Sequence, residues 1–306
     1  MTTIPDRYGL TPTSSRTEHA HAKINLLLRI LAREASGYHG IETLFQRLAL
    51  HDVVHVTVGS TSRTLDCSGP TLPSWGLGAT EKNLAWRAAE AYATASGWDT
   101  GWHIAVEKYI PVGGGLGGGS ADAAAVLRAL ESMSPSPLGM PRLLELAGTL
   151  GADVPFFVSG APRAWAWGRG DRLLPLAPLP TMRVQLVTFA SGVNTAAAYG
   201  VFATARAARQ DPLHAYGYPL AAFDSWHTIA ALAANDFEGI VPDLHAGVRA
   251  VLPRMRELAA GLRQSGVPAV GLMSGSGATC FVLHPLETRV TVDSSPSGRV
   301  VQTVTL

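Results

Sequence analysis

The sequence predicts an α+β fold in two domains, on three observations. Stretches that alternate apolar and polar residues stand beside stretches of helical periodicity, without the regular strand–helix alternation that builds a purely parallel sheet. A chain of 306 residues is about twice the size of an ordinary single domain. The segment LPLAPLP, residues 174–180, interrupts the periodic pattern and is the best boundary in the chain. These set an N-terminal domain over residues 18–175 and a C-terminal domain over 180–306. The polar stretch 1–17 is read as a flexible extension.

Taken in order, HAKINLLLRILA (21–32) alternates: Ala22, Ile24, Leu26, Leu28 and Ile30 share one strand face, His21, Lys23 and Asn25 the other. A glycine turn, SGYHG, separates it from two further strands, TLFQRLAL and DVVHVTV. Residues 59–80 read as loop, and 81–97 as an amphipathic helix stopped by Gly97. WHIAVEKYI alternates again and leads through Pro111 into GGGLGGGS, residues 113–120. A helix follows, SADAAAVLRALESM, with Ser120 as its N-cap and Asp122 in its first turn. PRLLELAGTLG is a second helix, followed by ADVPFF. APRAWAWG and MRVQLVTF read as strands, TAAAYGVFATARAA and a long segment near 240–264 as helices, and VPAVGLMSGSGATCFVLHP as strand, glycine turn, strand.

Composition narrows the classes. Hydrophobic residues make up 47% and charged residues 15%, enough to bury a large core and too little charge for global disorder. A net charge of +1, without a run of basic residues, gives no reason to expect nucleic acid or an anionic membrane as partner. Two cysteines, Cys67 and Cys280, make no disulfide framework and fit a reducing cytoplasm. No stretch approaches the 18 apolar residues of a membrane helix.

The order strand, glycine loop, capped helix points to phosphate. Amides at a helix N-terminus are unsatisfied and carry partial positive charge, and glycines let them close on an anion. The loop is not a P-loop, because Ser120 and Ala121 follow Gly119 where a lysine is required. A dinucleotide fingerprint can be threaded through Gly113, Gly115 and Gly118, but the acidic residue expected after a second strand is absent; Glu131 lies inside the helix.

KYIPVGGGLGGGSADAA resembles the phosphate loop of the GHMP kinase superfamily. HAKINLLLRI, GYHGIETLFQRLALHDVV, GADVPFF and GLMSGSGAT resemble four more of its segments in the same order, and SGVNTAAAY and NDFE fit weaker C-terminal signatures. The match runs from about residue 20 to 285. The GGGLGGGS version is similar to the branch that acts on a cytidine diphosphate-linked methylerythritol in the non-mevalonate route to isoprenoids. The resemblance implies an N-terminal ATP-binding domain like the second domain of ribosomal protein S5 and a ferredoxin-like C-terminal substrate domain. It also implies ATP and Mg²⁺ as cofactors, with a monomer or weak homodimer as the assembly.

The same resemblance assigns residues. Asp153 is the general base that takes the proton of the attacking hydroxyl, and Lys23 its electrostatic partner. Gly113, Gly114, Gly115, Leu116, Gly117, Gly118, Gly119 and Ser120 hold the ATP phosphates, Pro111 belongs to the same ATP site, and Lys108 and Asn83 lie toward the adenosine. Ser120 is a further contact for Mg²⁺, whose remaining ligands are phosphate and water. Tyr38 and Tyr199 form the walls of a cytosine slot, His39 bonds the base, and Thr195 and Asn25 line the substrate site.

Plainer readings stand beside these. Lys23 also reads as an edge lysine facing solvent, Asp153 as a turn aspartate, and Asp122 as a helix-dipole partner. Lys108 reads equally as a solvated strand residue, and Ser274–Gly277 as a hairpin turn. His19 and His21 make an H-x-H pair with no third ligand at suitable spacing. The competing functions are a homoserine- or mevalonate-type kinase, a decarboxylase of the same fold, and a sensor that binds without transferring phosphate.

Overall fold

The computed structural model describes residues 14–33, 39–209, 217–292 and 298–306. Residues 1–13 of the expected extension, and Tyr38, lie outside them. In chain order the elements are β1 (Ser14–Arg33), β2 (His39–Ser60), β3 (Arg63–Ser68), α1 (Leu84–Ser96), β4 (Gly101–Glu107), α2 (Gly118–Met133), α3 (Met140–Leu150) and α4 (Val154–Ser159). Then come β5 (Arg163–Gly168), β6 (Arg172–Leu176), β7 (Met182–Phe189), α5 (Thr195–Arg209), α6 (Trp226–Leu232) and β8 (Ala234–Asn235). The chain closes with α7 (Val241–Leu244), α8 (Ala246–Gln264), β9 (Val270–Met273), β10 (Cys280–Pro285) and β11 (Gly298–Val304).

Contacts divide the chain into two compact units, neither continuous in sequence. Of the described residues, 14–20, 52–109 and 119–159 form the first; 21–33, 39–51, 110–118, 160–209, 217–292 and 298–306 form the second.

In the first unit the later half of β2 pairs antiparallel with β4, and β4 pairs parallel with β3. Helix α1 starts at Asn83, whose side chain accepts from Ala85 N at 2.9 Å, and ends at Gly97 in the left-handed region with φ 69°. Helix α2 is alanine-rich and apolar on nearly all faces, from Ala121 through Leu130, so it runs through the interior.

In the second unit the early half of β2 pairs with β5, β5 with β6, and β1 runs parallel to β8. A separate antiparallel sheet has the order β11-β7-β10-β9. Alternation along its strands feeds two cores. Leu186, Leu272, Phe281 and Leu283 pack with Trp226 and Ile229 of α6, while Val187, Met273, Cys280 and Val282 pack with Val251, Leu252 and Met255 of α8.

Several elements differ from the sequence reading. TLFQRLAL and DVVHVTV are one strand, β2, because nothing between Leu50 and Asp52 breaks extended backbone. β3 lies inside the stretch read as loop, and β6 overlaps the start of the expected boundary segment. β1 begins at Ser14, within the expected extension. Ser120 is not the N-cap of its helix: α2 starts two residues earlier, at Gly118. The short helix α4 begins within ADVPFF, at Val154. Among the described residues no helix is long and apolar enough to cross a membrane.

Candidate active site

The glycine loop opens the site in the second unit. Gly113, Gly115 and Gly117 have φ of 75°, 76° and 75°, so alternate residues are left-handed. That alternation gathers successive amides into an anion-binding concavity. Leu116, 1% exposed, anchors the loop, and its carbonyl accepts from Lys23 N at 2.9 Å. The loop rests on the segment joining β9 to β10. Ser274 Oγ donates to Gly115 O at 2.9 Å and Thr279 N to Gly114 O at 3.1 Å. A Cβ at Gly115 would collide with the Ser274 carbonyl, and one at Gly114 would stand 2.6 Å from Thr279 Oγ1. Residues 274–277 are thus both a hairpin turn and the floor of the loop. Thr279 Oγ1 is buried without a hydrogen-bond partner.

Lys23 is buried at 4% exposure on β1, a strand flanked by β2 and β8, so the solvent-facing edge reading does not hold. Lys23 Nζ donates to Asn25 Oδ1 at 2.6 Å; Asn25 Nδ2 donates to Thr43 Oγ1 at 2.7 Å, and Thr43 Oγ1 donates to Leu27 O at 2.6 Å. This chain fixes both side chains on one strand face. Lys23 Nζ also lies 3.4 Å from where a Cβ on Gly275 would stand, and Gly115 O lies 3.2 Å from the same point.

Thr195 and Tyr199 share the first turns of α5. Thr195 Oγ1 and Ser276 Oγ are hydrogen-bonded at 2.8 Å. The His39 ring stacks on Tyr199 with centroids 5.3 Å apart and planes 18° from parallel.

In the first unit the polar centre is Lys108, 3% exposed, which excludes the solvated-strand reading. Its ammonium donates to Asp52 and, at 2.5 Å, to Asp122 Oδ2. Asp52 Oδ1 also accepts from Tyr109 N at 2.5 Å. Burial alone would lower the Lys108 ammonium, but the carboxylates of Asp122 and Asp52 outweigh it and hold it above the ordinary lysine range. Burial pushes the Asp122 carboxyl up to about 7, against the pull of Lys108. Asp122 Oδ1 has no hydrogen-bond partner.

Asp153 stands half-buried immediately before α4, its carbonyl accepting from Phe157 N at 3.4 Å. Ser120 Oγ points toward the same turn: a Cβ on Gly151 would lie 3.9 Å from it. Asn83 caps α1 and directs its Nδ2 to Cys67 Sγ at 3.8 Å. An open groove of about 530 Å³ between α1 and α3 is lined by Glu81, Trp86, Glu90 and Leu146, and by none of the expected site residues.

Two buried polar residues, one in each unit, escape the sequence reading. Asp52 looks like a turn residue between apolar runs; the need of a buried Lys108 for a carboxylate is the signal that points to it. Thr279 reads as the end of a glycine turn, and nothing local marks its hydroxyl. Among the described residues no group of three or more His, Cys, Asp or Glu is arranged to hold a metal by itself.

Comparison with known proteins gives the same picture from another direction. Residues 83–161 match the family of GHMP kinases N terminal domain. The 4-diphosphocytidyl-2-C-methyl-D-erythritol kinase of Desulfitobacterium hafniense (strain Y51) is 36% identical over 269 residues, 86% of this chain and 84% of that protein. A crystal structure of 4-(cytidine 5'-diphospho)-2C-methyl-D-erythritol kinase superposes with a TM-score of 0.66 at 32% identity, covering 94% of this chain and 98% of that one. Mevalonate kinase of L. major, at 11% identity and a TM-score of 0.65, shares the fold over 96% of both chains.

Proposed function

Because the chain belongs to the 4-diphosphocytidyl-2-C-methyl-D-erythritol kinases of the GHMP superfamily, we propose a role for each part of its site in that family's reaction. The chain is an ATP-dependent kinase acting on the 2-hydroxyl of 4-diphosphocytidyl-2-C-methyl-D-erythritol, giving the 2-phosphate and ADP in the non-mevalonate route to isoprenoid precursors. The observation that carries this is identity of 36% sustained over 86% of the chain. The left-handed alternation at Gly113, Gly115 and Gly117 supports a loop shaped for phosphate.

In this reading the loop amides from Gly113 to Gly119 and the Ser120 hydroxyl hold the β- and γ-phosphates. Asp153 accepts the proton as the 2-oxygen forms its bond to the γ-phosphorus, and the bond from that phosphorus to the β–γ bridging oxygen breaks to release ADP. Lys23 stabilises charge on the transferring group; such transfers depend chiefly on positioning and electrostatics. Tyr199 and His39, with Tyr38, form the cytosine site, lined by Thr195, while Asn25 holds Lys23 in place. Asn83, Pro111 and Lys108 border the nucleotide. Bound with ATP, Mg²⁺ would supply positive charge against the phosphates. The unpartnered Asp122 Oδ1 and the Ser120 hydroxyl suit it as protein ligands, with phosphate and water supplying the rest. The ATP-binding domain is assigned to residues 18–175 and the substrate domain to 180–306, in a cytoplasmic monomer or weak dimer.

The test offers purified protein 4-diphosphocytidyl-2-C-methyl-D-erythritol, homoserine and mevalonate side by side with ATP and Mg²⁺, following ADP. Turnover with the cytidyl substrate alone is expected. Turnover with another alcohol, or saturable ATP binding without any turnover, overturns the reading. Asp153→Asn should lower kcat by about 10²–10⁴-fold at an unchanged Tm, the range of a general base; near-wild-type turnover removes the base role.

A further inference from the structure

The motif Asn235-Asp236-Phe237-Glu238 lies outside every role assigned above, yet its side chains tie together the 273–275 backbone, the strand β1 and the Tyr199 ring. All the residues concerned belong to the second unit. Asn235, 6% exposed, donates through Nδ2 to Met273 O and to Gly275 O, both at 2.8 Å. Its Oδ1 accepts from Phe237 N at 3.0 Å, which closes the turn. Asp236 continues the sheet by other means. The parallel pairing of β8 with β1 stops at Leu28–Asn235, and the next β1 donor, Ile30 N, is taken by Asp236 Oδ2 at 2.8 Å. Asp236 Oδ1 accepts from Arg29 Nη1 at 2.8 Å. Phe237, 1% exposed, meets Tyr199 edge to face, with centroids 4.9 Å apart at 81°. Glu238, 8% exposed, accepts from Met273 N at 2.6 Å and is paired with Arg256.

The backbone held by these side chains is the part that touches the reacting end. Gly275 stands against Lys23 Nζ and Gly115, and Ser274 Oγ bonds Gly115 O at 2.9 Å. Glycine at 275, with φ 58°, contributes no side chain of its own to fix this turn. Its carbonyl is placed by Asn235, the Met273 amide by Glu238, and the strand bearing Lys23 by Asp236. Buried polar side chains that are bonded to backbone on several segments hold those segments in one arrangement.

We propose that residues 235–238 are a positioning motif for phosphoryl transfer. Asn235 and Glu238 set the 273–275 backbone beneath the phosphate loop and beside Lys23, while Phe237 sets the Tyr199 ring for the cytidine end of the substrate. One four-residue stretch thereby aligns the acceptor's recognition end with its reacting end. The inference rests on the kinase reading given above, and its test separates the two.

Three measurements are made on wild type, Asn235→Ala, Asn235→Asp and Phe237→Leu: steady-state kinetics in both substrates, Tm, and amide hydrogen exchange of the 271–280 segment. Asn235→Asp keeps the shape but loses both donated bonds, so it should behave as Asn235→Ala. Both should lower kcat by up to about 10²-fold, the effect of roughly 1 Å of misplacement, with the cytidyl KM little changed and faster exchange confined to 271–280. Phe237→Leu should raise the cytidyl KM about tenfold, the low end of a base-stacking loss, with the ATP KM and kcat held. A merely structural motif would lower Tm in all three variants without this opposite split. Parallel losses of kcat and KM, or exchange at 271–280 unchanged in Asn235→Ala, overturn the proposal. If wild type itself turns over none of the alcohols, the kinase reading fails, and the exchange data alone decide whether residues 235–238 brace the loop.

Discussion

Two lysines, both nearly excluded from water, sit in very different company. Lys108, in the first unit, has its ammonium between the carboxylates of Asp52 and Asp122. Lys23, in the second, donates to the amide oxygen of Asn25 and lies beside the backbone of Gly275 and, near it, Gly115. Carboxylates on both sides lock a buried ammonium into the fold, because removing it strands two charges in a low-dielectric interior. Glycine neighbours act differently: Gly275 and Gly115 add no side chain on their side of the ammonium, so that a polyanion can approach there. The lysine held between two buried carboxylates is therefore the one whose loss should damage the fold, and the one beside the glycines is the one whose loss should damage the reaction.

The largest effect belongs to Lys108→Met. Two buried carboxylates left without their counter-ion should cost about 3–5 kcal/mol of stability, read as a drop in the urea midpoint at pH 8. A loss under about 1 kcal/mol, the range of an exposed ion pair, would erase the contrast. Next is Asp52→Asn. Asp52 is fully buried and holds both Lys108 and the Tyr109 amide, so its amide replacement points donors at donors. About 1–3 kcal/mol should be lost, and an unchanged midpoint would show that the amide can be accommodated.

Asp122→Asn should have the smallest effect at pH 8, since Lys108 and Asp52 remain a one-to-one pair. Its signature lies in the pH dependence. The folded Asp122 carboxyl titrates near 7 because burial raises it from the ordinary 3.8. The folded state therefore holds a proton that the unfolded state has released across that interval. The resulting stabilisation is complete below 3.8 and is lost as pH rises through about 7. Wild type minus Asp122→Asn, measured as Tm from pH 5 to pH 8, should decline with pH. A flat difference would place the raised titration elsewhere in the cluster.

What the sequence made legible follows from how local each signal is. The phosphate loop could be read because Gly113, Gly115 and Gly117 need a backbone that only glycine adopts cheaply, and all three lie in one short stretch of sequence. The α+β class and the helices α1, α2 and α3 could be read from periodicity and end signals within single segments. Lys23 was ambiguous because alternation reports which residues share a face and not what covers that face; only the flanking strands bury it. Lys108 was ambiguous for the same reason, since its partner Asp52 lies 56 residues away in sequence. β6, interrupted by Pro175, and the short β8 carry too little pattern to stand out. The weak NDFE signature gave no hint of its contacts, because its partners come from segments distant in sequence.

The central claim is that Lys23 serves the chemistry while Lys108 serves the fold. The most direct measurement is kcat of Lys23→Met with ATP and 4-diphosphocytidyl-2-C-methyl-D-erythritol both saturating, with Tm taken on the same preparation. The account predicts a fall of about 10²–10³-fold, the scale of removing one electrostatic stabiliser of the transition state, at a Tm within a few degrees of wild type. A kcat near wild type, or a Tm collapse matching that of Lys108→Met, would contradict it.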